Sequence, residues 1–196
     1  MKVIALLPMK ANSERVRGKN FRHFAGKPLF RWMLDTLLST PEIDSVVINT
    51  DAREILAEHG LADSDRILIR DRRADICGDL VSMNRIIADD IENLDADIYL
   101  MTHTTNPLLS QASVEAAISS FKTGLLAGTA DSLFTVNKVQ ERFYDLRAKP
   151  INHDPNNLIR TQDLEPWYQE NSNLYLFTET SFSKTQARIG KNPMML

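Results

Sequence analysis

The sequence predicts an α/β protein built on a doubly wound, mostly parallel sheet. Short apolar runs alternate with segments whose apolar residues recur at helical spacing, which is the rhythm of βαβ units. The runs lack the apolar–polar alternation of half-buried strands, as expected for a sheet covered on both faces. Long polar loops follow several runs, and open α/β sheets bind ligands at the carboxyl ends of their strands. The length of 196 residues suits a single domain, 1–196.

The elements follow in order along the chain. Apolar runs predict strands at residues 3–7, 45–49, 66–70, 97–101 and 131–136, a returning strand at 171–177 and the start of another at 190–196. Helical spacing predicts helices at 28–39, 52–59, 82–91, around 114–121 and at 180–186. Pro28 opens the first helix in a favoured position, and Asp51 is placed to cap the second.

The loop after the first strand concentrates the positive charge of the chain. From Lys10 to Lys27, six Lys or Arg residues stand against one Glu, a balance of +5 in a chain whose total is −3. Clustered cations and backbone N–H groups near small residues such as Ser13 and Gly18 can surround several anionic oxygens, which suits a polyphosphate. The spacing matches neither a P-loop nor GxGxxG. A solvated basic surface loop is the alternative, because charged side chains are ordinarily exposed.

The loop after the fourth strand is polar but uncharged. Thr102, His103, Thr104, Thr105 and Asn106 bring hydroxyls, an imidazole and an amide together. Such groups suit a polyhydroxylated sugar better than a phosphate. His103 is also a candidate general base, although a strand-end histidine is more often a neutral hydrogen-bonding residue.

The composition changes in residues 138–172. This segment is polar, contains three prolines and places aromatic residues among charges. The aromatic residues are Phe143, Tyr144, Trp167 and Tyr168. We expect an excursion from the domain that packs on a partner, with a second copy of the chain as the obvious candidate.

Several classes of protein are disfavoured by composition. A net charge of −3 argues against a nucleic-acid partner, which usually requires a broad basic face. A single cysteine, Cys77, excludes an intramolecular disulfide and a multi-cysteine metal site. No apolar run approaches membrane-spanning length, and Met1 and Lys2 lead directly into a strand. We therefore expect a cytoplasmic protein without a membrane partner.

Taken together, the motifs resemble the acylneuraminate (CMP-sialic acid synthetase) family of sugar-acid cytidylyltransferases. In that family a strand enters Pro-x-Arg-x-x-Ser, followed by Lys-Asn and Gly-Lys-Pro-Leu. The matching residues here are Pro8, Ser13, Lys19, Asn20, Gly26, Lys27, Pro28 and Leu29. Lys10 replaces the family's Arg, which keeps the charge and loses the planar fork. Later blocks resemble the family around Arg72 to Ser82, His103 to Leu108, Arg160 to Pro166 and Asn171 to Phe177.

The resemblance implies a Rossmann-like, GT-A-like nucleotidyltransferase that transfers CMP from CTP to a sialic-acid-like nonulosonate and releases pyrophosphate. Lys10 and Lys19 would be its catalytic cations. The nucleotide would contact Lys10, Asn12, Ser13, Lys19, Asn20, Arg72 and Ser82. The sugar would contact His103, Thr105 and Asn106. For Arg72 and Ser82 the alternatives are a surface charge and a helix N-cap.

The resemblance also implies a homodimer. The family's excursion is a dimerisation arm, and the Arg-x-Gln-x-Leu-x-Pro run beginning at Arg160 carries an arginine that reaches the neighbouring active site. Gln169 stands where the family has a later arginine.

The same family binds Mg²⁺ through an Asp-Ile-Asp block that has no counterpart up to Leu196. The metal ligands are therefore unknown, with Asp51 and Asp131 as poor candidates, and we expect CTP binding with poor turnover. Two alternatives remain. One is a nucleotidyltransferase for another sugar or base, and the other is a non-catalytic nucleotide-binding protein.

Overall fold

The computed structural model describes residues 1–196. The chain divides into two compact units. The first unit comprises Met1–Phe134 and Ser172–Leu196, and the second comprises Thr135–Asn171.

The helices and longer strands are close to those predicted, with two exceptions: no strand is predicted within residues 23–28, and the returning strand begins at Trp167 instead of residue 171. The strands are β1 Val3–Leu6, β2 His23–Phe24, β3 Lys27–Pro28, β4 Ser45–Thr50, β5 Ile67–Asp71, β6 Ile98–Met101, β7 Ser132–Val139, β8 Trp167–Phe177 and β9 Pro193–Met195. The helices are α1 Leu29–Ser39, α2 Arg53–Glu58, α3 Met83–Asn93, α4 Gln111–Leu126 and α5 Glu179–Thr185.

Seven strands form one sheet in the order β5-β4-β1-β6-β8-β7-β9. β1 runs parallel to both β4 and β6, and β4 runs parallel to β5. β8 is antiparallel to β6, and β9 is parallel to β7. The prediction of a mostly parallel sheet is confirmed. The parallel order places the carboxyl ends of β1, β4, β5 and β6 at one edge.

Helices cover both faces of this sheet, which explains why its strands are apolar throughout. Val3 and Ala5 of β1 belong to a core cluster that includes residues of α1 and α4. Ile4 and Leu6 belong to a second cluster, which includes residues of α3 and Phe182 of α5. The sheet is therefore doubly wound, as predicted.

One local prediction is wrong. Asp51 does not cap α2, because the residue at the N-cap is Ala52 and it makes no side-chain capping bond. The Oγ1 of Thr50 instead accepts the Ala52 N–H at 3.0 Å. The carboxylate of Asp51 is engaged with the first long loop, described below.

The second unit, Thr135–Asn171, contains little regular structure apart from the ends of β7 and β8 and a short 3₁₀ turn at Thr161–Asp163. Phe143 and Trp167 stack with ring centroids 5.1 Å apart. Leu164 is buried, and its carbonyl accepts an N–H of the Gln140 side chain at 2.9 Å.

None of the helices has the length and apolar composition required to cross a bilayer.

Candidate functional site

The basic loop is fixed to the sheet at the carboxyl end of β1. Backbone hydrogen bonds from Leu7 to Val47 and from Met9 to Asn49 extend the pairing with β4, at 2.9 and 3.1 Å. Asp51 then accepts the Ala11 N–H at 2.7 Å. The loop therefore begins from a defined position above the sheet edge.

Asn20 joins this loop to the polar loop after β6. It is 4% exposed and lies in a short 3₁₀ turn, Lys19–Phe21, that follows Gly18 in the left-handed conformation. Its amide donates to the Lys10 carbonyl at 2.8 Å and accepts the Thr104 hydroxyl at 2.7 Å. Because both the nitrogen and the oxygen of its amide bind the protein, Asn20 holds the two loops together.

Two adjoining cavities open where these loops meet. The basic cavity, about 460 Å³, is lined by Lys10, Ser13, Glu14, Arg15, Val16, Lys19 and Asp79. The polar cavity, about 330 Å³, shares Lys10, Ser13, Lys19 and Asp79 and extends to Arg72, His103, Thr104 and Thr105. The structure thus brings residues from the ends of β1, β5 and β6 to one place.

The cations of the site differ in their partners. The ammonium of Lys10 forms a salt bridge with the carboxylate of Asp79. Lys19 lies on the wall of both cavities and forms no salt bridge. An anionic ligand can therefore bind Lys19 directly, whereas it must compete with Asp79 for Lys10.

Arg72 forms part of the wall of the polar cavity and is half-buried. Burial lowers the pKa of its guanidinium from the ordinary value, although nearby carboxylates including Asp51 oppose that shift. Arginine stays protonated despite such shifts, so Arg72 presents a fixed positive charge to the cavity.

His103 also lines the polar cavity. Burial lowers the pKa of its imidazole to about 4, and the positive charges of Arg188 and Lys19 contribute to the same shift. The ring is therefore neutral near pH 7 and suited to hydrogen bonding. A base with so low a pKa is a weak proton acceptor at that pH.

Three residues proposed for the site, Asn12, Ser82 and Asn106, line neither cavity. Asn12 is exposed on the basic loop. Ser82 is the N-cap of α3 and accepts the Asn84 N–H at 3.3 Å. Arg160, which was predicted to reach a partner's site, lies in the second unit and pairs with Asp163 at 2.7 Å.

The third of these residues, Asn106, secures the middle of β8. Its amide donates to the carbonyls of Ser172 and Asn173 at 3.1 and 3.4 Å. Thr102 supports the same segment by donating to the Asn173 carbonyl at 2.6 Å. Asn106 thus has a positioning role in the free protein.

Two carboxylates line these cavities. Glu14 lines the basic cavity alone, and Asp79 lines both. The chain contains no cluster of three or more His, Cys, Asp or Glu side chains arranged to hold a metal. Mg²⁺ is commonly held by one or two carboxylates together with phosphate oxygens and water, so Asp79 fits a metal that arrives with a polyphosphate. Asp131 does not fit, because its carboxylate accepts the N–H groups of Lys191 and Asn192.

Sequence reasoning missed the polar residues behind the cavity wall. Asn49, Asp89 and Asp90 are buried, and the amide of Asn49 contacts both carboxylates. A signal was present in the helix, because Asp90 lies three residues after Ile87 and so falls on its apolar face.

A family model described as Cytidylyltransferase matches residues 4–195. The pseudaminic acid cytidylyltransferase of Campylobacter jejuni is 23% identical over 193 residues, covering 93% of this chain and 81% of that protein. The N-acylneuraminate cytidylyltransferase of Oncorhynchus mykiss is 23% identical over 189 residues, covering 93% of this chain and 42% of that protein.

A similar fold is found among solved structures. CMP:2-keto-3-deoxy-manno-octonic acid synthetase complexed with CTP superposes with a TM-score of 0.68 at 14% identity, covering 100% of this chain and 90% of that one. This similarity supports the Rossmann-like α/β fold that the family resemblance implied.

Proposed function

Since this chain belongs to the cytidylyltransferase family, we propose that it transfers CMP from CTP to a sialic-acid-like nonulosonate and releases pyrophosphate. The observation that carries the proposal is the pair of adjoining cavities, one lined by cations and the other reaching uncharged polar groups. The names of two relatives, which specify pseudaminic acid and N-acylneuraminate, support the class of sugar.

The basic cavity would hold the triphosphate. Lys19 forms no salt bridge and would bind the phosphates directly. Lys10 would exchange the Asp79 carboxylate for phosphate oxygens when CTP enters. Ser13 adds a hydroxyl donor on the same wall. Arg72 would contact the nucleoside end, which lies toward the polar cavity.

The sugar would bind near the loop after β6. Neutral His103 and the exposed Thr105 offer hydrogen bonds to hydroxyl and amide groups without adding charge. Asn106 supports this subsite by holding the neighbouring strand.

The reaction would proceed by in-line attack. The sugar hydroxyl oxygen forms a bond to the α-phosphorus, and the bond from that phosphorus to the α–β bridging oxygen breaks. Pyrophosphate leaves with that electron pair, and the hydroxyl proton is released to solvent. Lys10 and Lys19 would act by positioning and by neutralising charge that develops on the phosphates.

Mg²⁺ is the proposed cofactor. When bound, it neutralises phosphate charge and orients the triphosphate. Asp79 is the residue of this chain that would hold it, once released from Lys10.

The assembly and location are proposed on the same basis. The exposed aromatic residues of the second unit support a homodimer in which Arg160 would reach the partner's site. Use of CTP, a nucleotide of the cell interior, supports a cytoplasmic location.

The test is release of pyrophosphate by the purified chain with Mg²⁺ and a nucleotide. CTP, UTP, ATP and GTP would each be paired with pseudaminate, N-acetylneuraminate, a legionaminate and 3-deoxy-octulosonate. We expect release to require CTP and one of the nonulosonates. The CMP-sugar product would be identified by mass spectrometry.

Any other result of this test would indicate a different function. Turnover with a different nucleotide or only with 3-deoxy-octulosonate would replace the proposed substrates within the same reaction class. CTP binding by calorimetry without turnover on any sugar would indicate a nucleotide-binding protein. Absence of binding would overturn the proposal.

A further inference from the structure

Arg72 is held in the cavity wall by three hydrogen bonds. Its Nε donates to the side-chain oxygen of Asn49 at 2.9 Å. Its Nη2 donates to the carbonyls of Asn49 and Met9 at 2.7 and 3.1 Å. A guanidinium has five N–H groups, so these bonds leave the two on Nη1 without a protein acceptor. Nη1 is therefore the donor that Arg72 can offer to a ligand.

The orientation of Asn49 is fixed from the opposite side. Its amide nitrogen donates to Asp89 at 3.0 Å and to Asp90 at 2.8 Å. Carboxylates only accept hydrogen bonds when ionised, so the nitrogen must face them and the amide oxygen must face Arg72. A rotated amide would break all three side-chain bonds.

The two carboxylates are themselves fixed by burial and by cations. Asp89 and Asp90 are 3% and 1% exposed. Arg70 forms salt bridges with both, at 3.2 Å to Asp89, and Arg73 lies 3.7 Å from the remaining Asp89 oxygen. Losing one partner of such a buried group is costly, which makes the arrangement rigid.

We propose that Asn49, Asp89 and Asp90 are positioning residues that hold Arg72 in the orientation in which it binds the nucleotide. The inference rests on the proposed function, since it assigns Arg72 to the nucleotide. The network connects three elements behind the cavity: β4 through Asn49, β5 through Arg70 and α3 through the aspartates. None of the three positioning residues lines the cavity.

The network should respond to pH through Asp90. Burial is the largest influence on this carboxyl and raises its pKa to about 6, while Asn49 and Arg70 oppose the rise and Asp89 adds to it. Above this pH the ionised group accepts from Asn49 and Arg70. As the pH falls through about 6 it becomes protonated, and the hold on Asn49, and through it on Arg72, weakens.

The experiment measures KM for CTP and kcat between pH 5.5 and 8 for the native enzyme, Asp90→Asn, Arg72→Lys and the double variant. Asp71→Asn is the matched control, because Asp71 is an exposed aspartate beside Arg72 in the chain that pairs with Arg53. We expect Asp90→Asn to raise KM several-fold at pH 7.5 with little change in kcat. The native rise in KM below pH 6 should be smaller in Asp90→Asn and in Arg72→Lys, and Asp71→Asn should match the native profile.

A residue that acts through Arg72 should add little once Arg72 has been replaced. We therefore expect the double variant to have the KM of Arg72→Lys. Independent, multiplying effects would overturn the inference, as would a native KM and pH profile in Asp90→Asn. If Asp90→Asn does not fold, the comparison of native and Arg72→Lys pH profiles decides the question, because identical profiles below pH 6 contradict the inference.

A second readout separates this inference from the proposed function. In the protein without ligand, NMR exchange of the Arg72 Nε–H with water should be slow in the native chain and faster in Asp90→Asn. A chain without cytidylyltransferase activity would overturn the proposed function yet could still show this difference. Equal exchange in an active enzyme would overturn the positioning role alone.

Discussion

At the scale of single residues, Lys10 and Lys19 line the same cavities but differ in whether a carboxylate neutralises them. Lys10 is neutralised by Asp79 in the free protein, whereas Lys19 forms no salt bridge. A triphosphate bound in the proposed site would have to displace this carboxylate from Lys10, and the carboxylate would then be available to a metal. Lys19 should contribute the larger share of binding, because nothing has to be displaced from it.

Replacing Lys19 tests this difference. Lys19→Ala should weaken CTP binding by roughly 1.5–3 kcal/mol, the range for hydrogen bonds to charged groups, or about 10- to 150-fold. Isothermal calorimetry with CTP and Mg²⁺ gives the affinity. Arg17→Ala is the control, since Arg17 is an exposed cation of the same loop outside both cavities. Equal affinities for the two variants would remove Lys19 from the site.

His103 provides a test of the proposed sugar subsite at the scale of one residue. With a pKa of about 4, His103 is uncharged at pH 6 to 8 and should add no ionisation to the rate profile there. His103→Gln keeps a hydrogen-bonding side chain and should retain most of kcat, whereas His103→Ala should raise KM for the sugar. Steady-state kinetics at several pH values distinguishes the roles. A large loss of kcat in both variants would instead indicate that the imidazole transfers a proton.

At the scale of elements, most of what could be predicted follows from one rule: open α/β sheets bind ligands at the carboxyl ends of their strands. Buried strands are recognisable as unbroken apolar runs, and the loops following β1 and β6 do meet in the structure. Asn49 and Asp90 are not recognisable as partners in the sequence, because they are 41 residues apart and only the fold brings β4 against α3. Asp51 was misassigned for the same reason: a cap and a loop anchor have the same sequence signature, and only the tertiary contact with Ala11 distinguishes them.

The position of β9 depends on a close approach between Asp131 and the segment that leads into this strand. Asp131 accepts the N–H groups of Lys191 and Asn192 at 2.9 and 3.0 Å, and this fixes the segment leading into β9. A methyl group at Gly190 would overlap the Asp131 carboxylate. The position therefore requires glycine for space, not for an unusual backbone conformation.

Gly190→Ala should destabilise the fold by about 1–3 kcal/mol, the usual cost of inserting a methyl group into a filled space. Urea unfolding followed by circular dichroism gives the change. Lys191→Ala is the matched control and should remain within about 0.5 kcal/mol of the native chain, because only the backbone of this exposed residue is used. Equal midpoints for the two variants would show that the segment shifts freely.

At the scale of the whole molecule, the second unit is distinguished by its apolar surface. Within Thr135–Asn171, Leu146, Leu158 and Tyr144 are 105%, 67% and 52% exposed. Trp167 and Tyr168 are exposed as well. Exposed apolar residues gathered in one segment are characteristic of surfaces that bind another protein. A second copy of the chain is the partner that needs no further component, and its interface would be related by a two-fold axis.

We therefore predict that the chain forms a homodimer in solution. Light scattering at micromolar concentration should give about twice the chain mass of 22.2 kDa. Replacing both Trp167 and Tyr168 with Lys should return the mass to that of a monomer, because two charges would be buried without partners across the interface. Leu126→Lys is the control, since Leu126 is 76% exposed on α4 in the other unit and should leave the dimer intact. If Arg160 completes the partner's site, the monomeric variant should also lose turnover while its circular dichroism spectrum remains that of the folded control. A native chain that scatters as a monomer would contradict the dimer, and a fully active monomeric variant would contradict the role of Arg160.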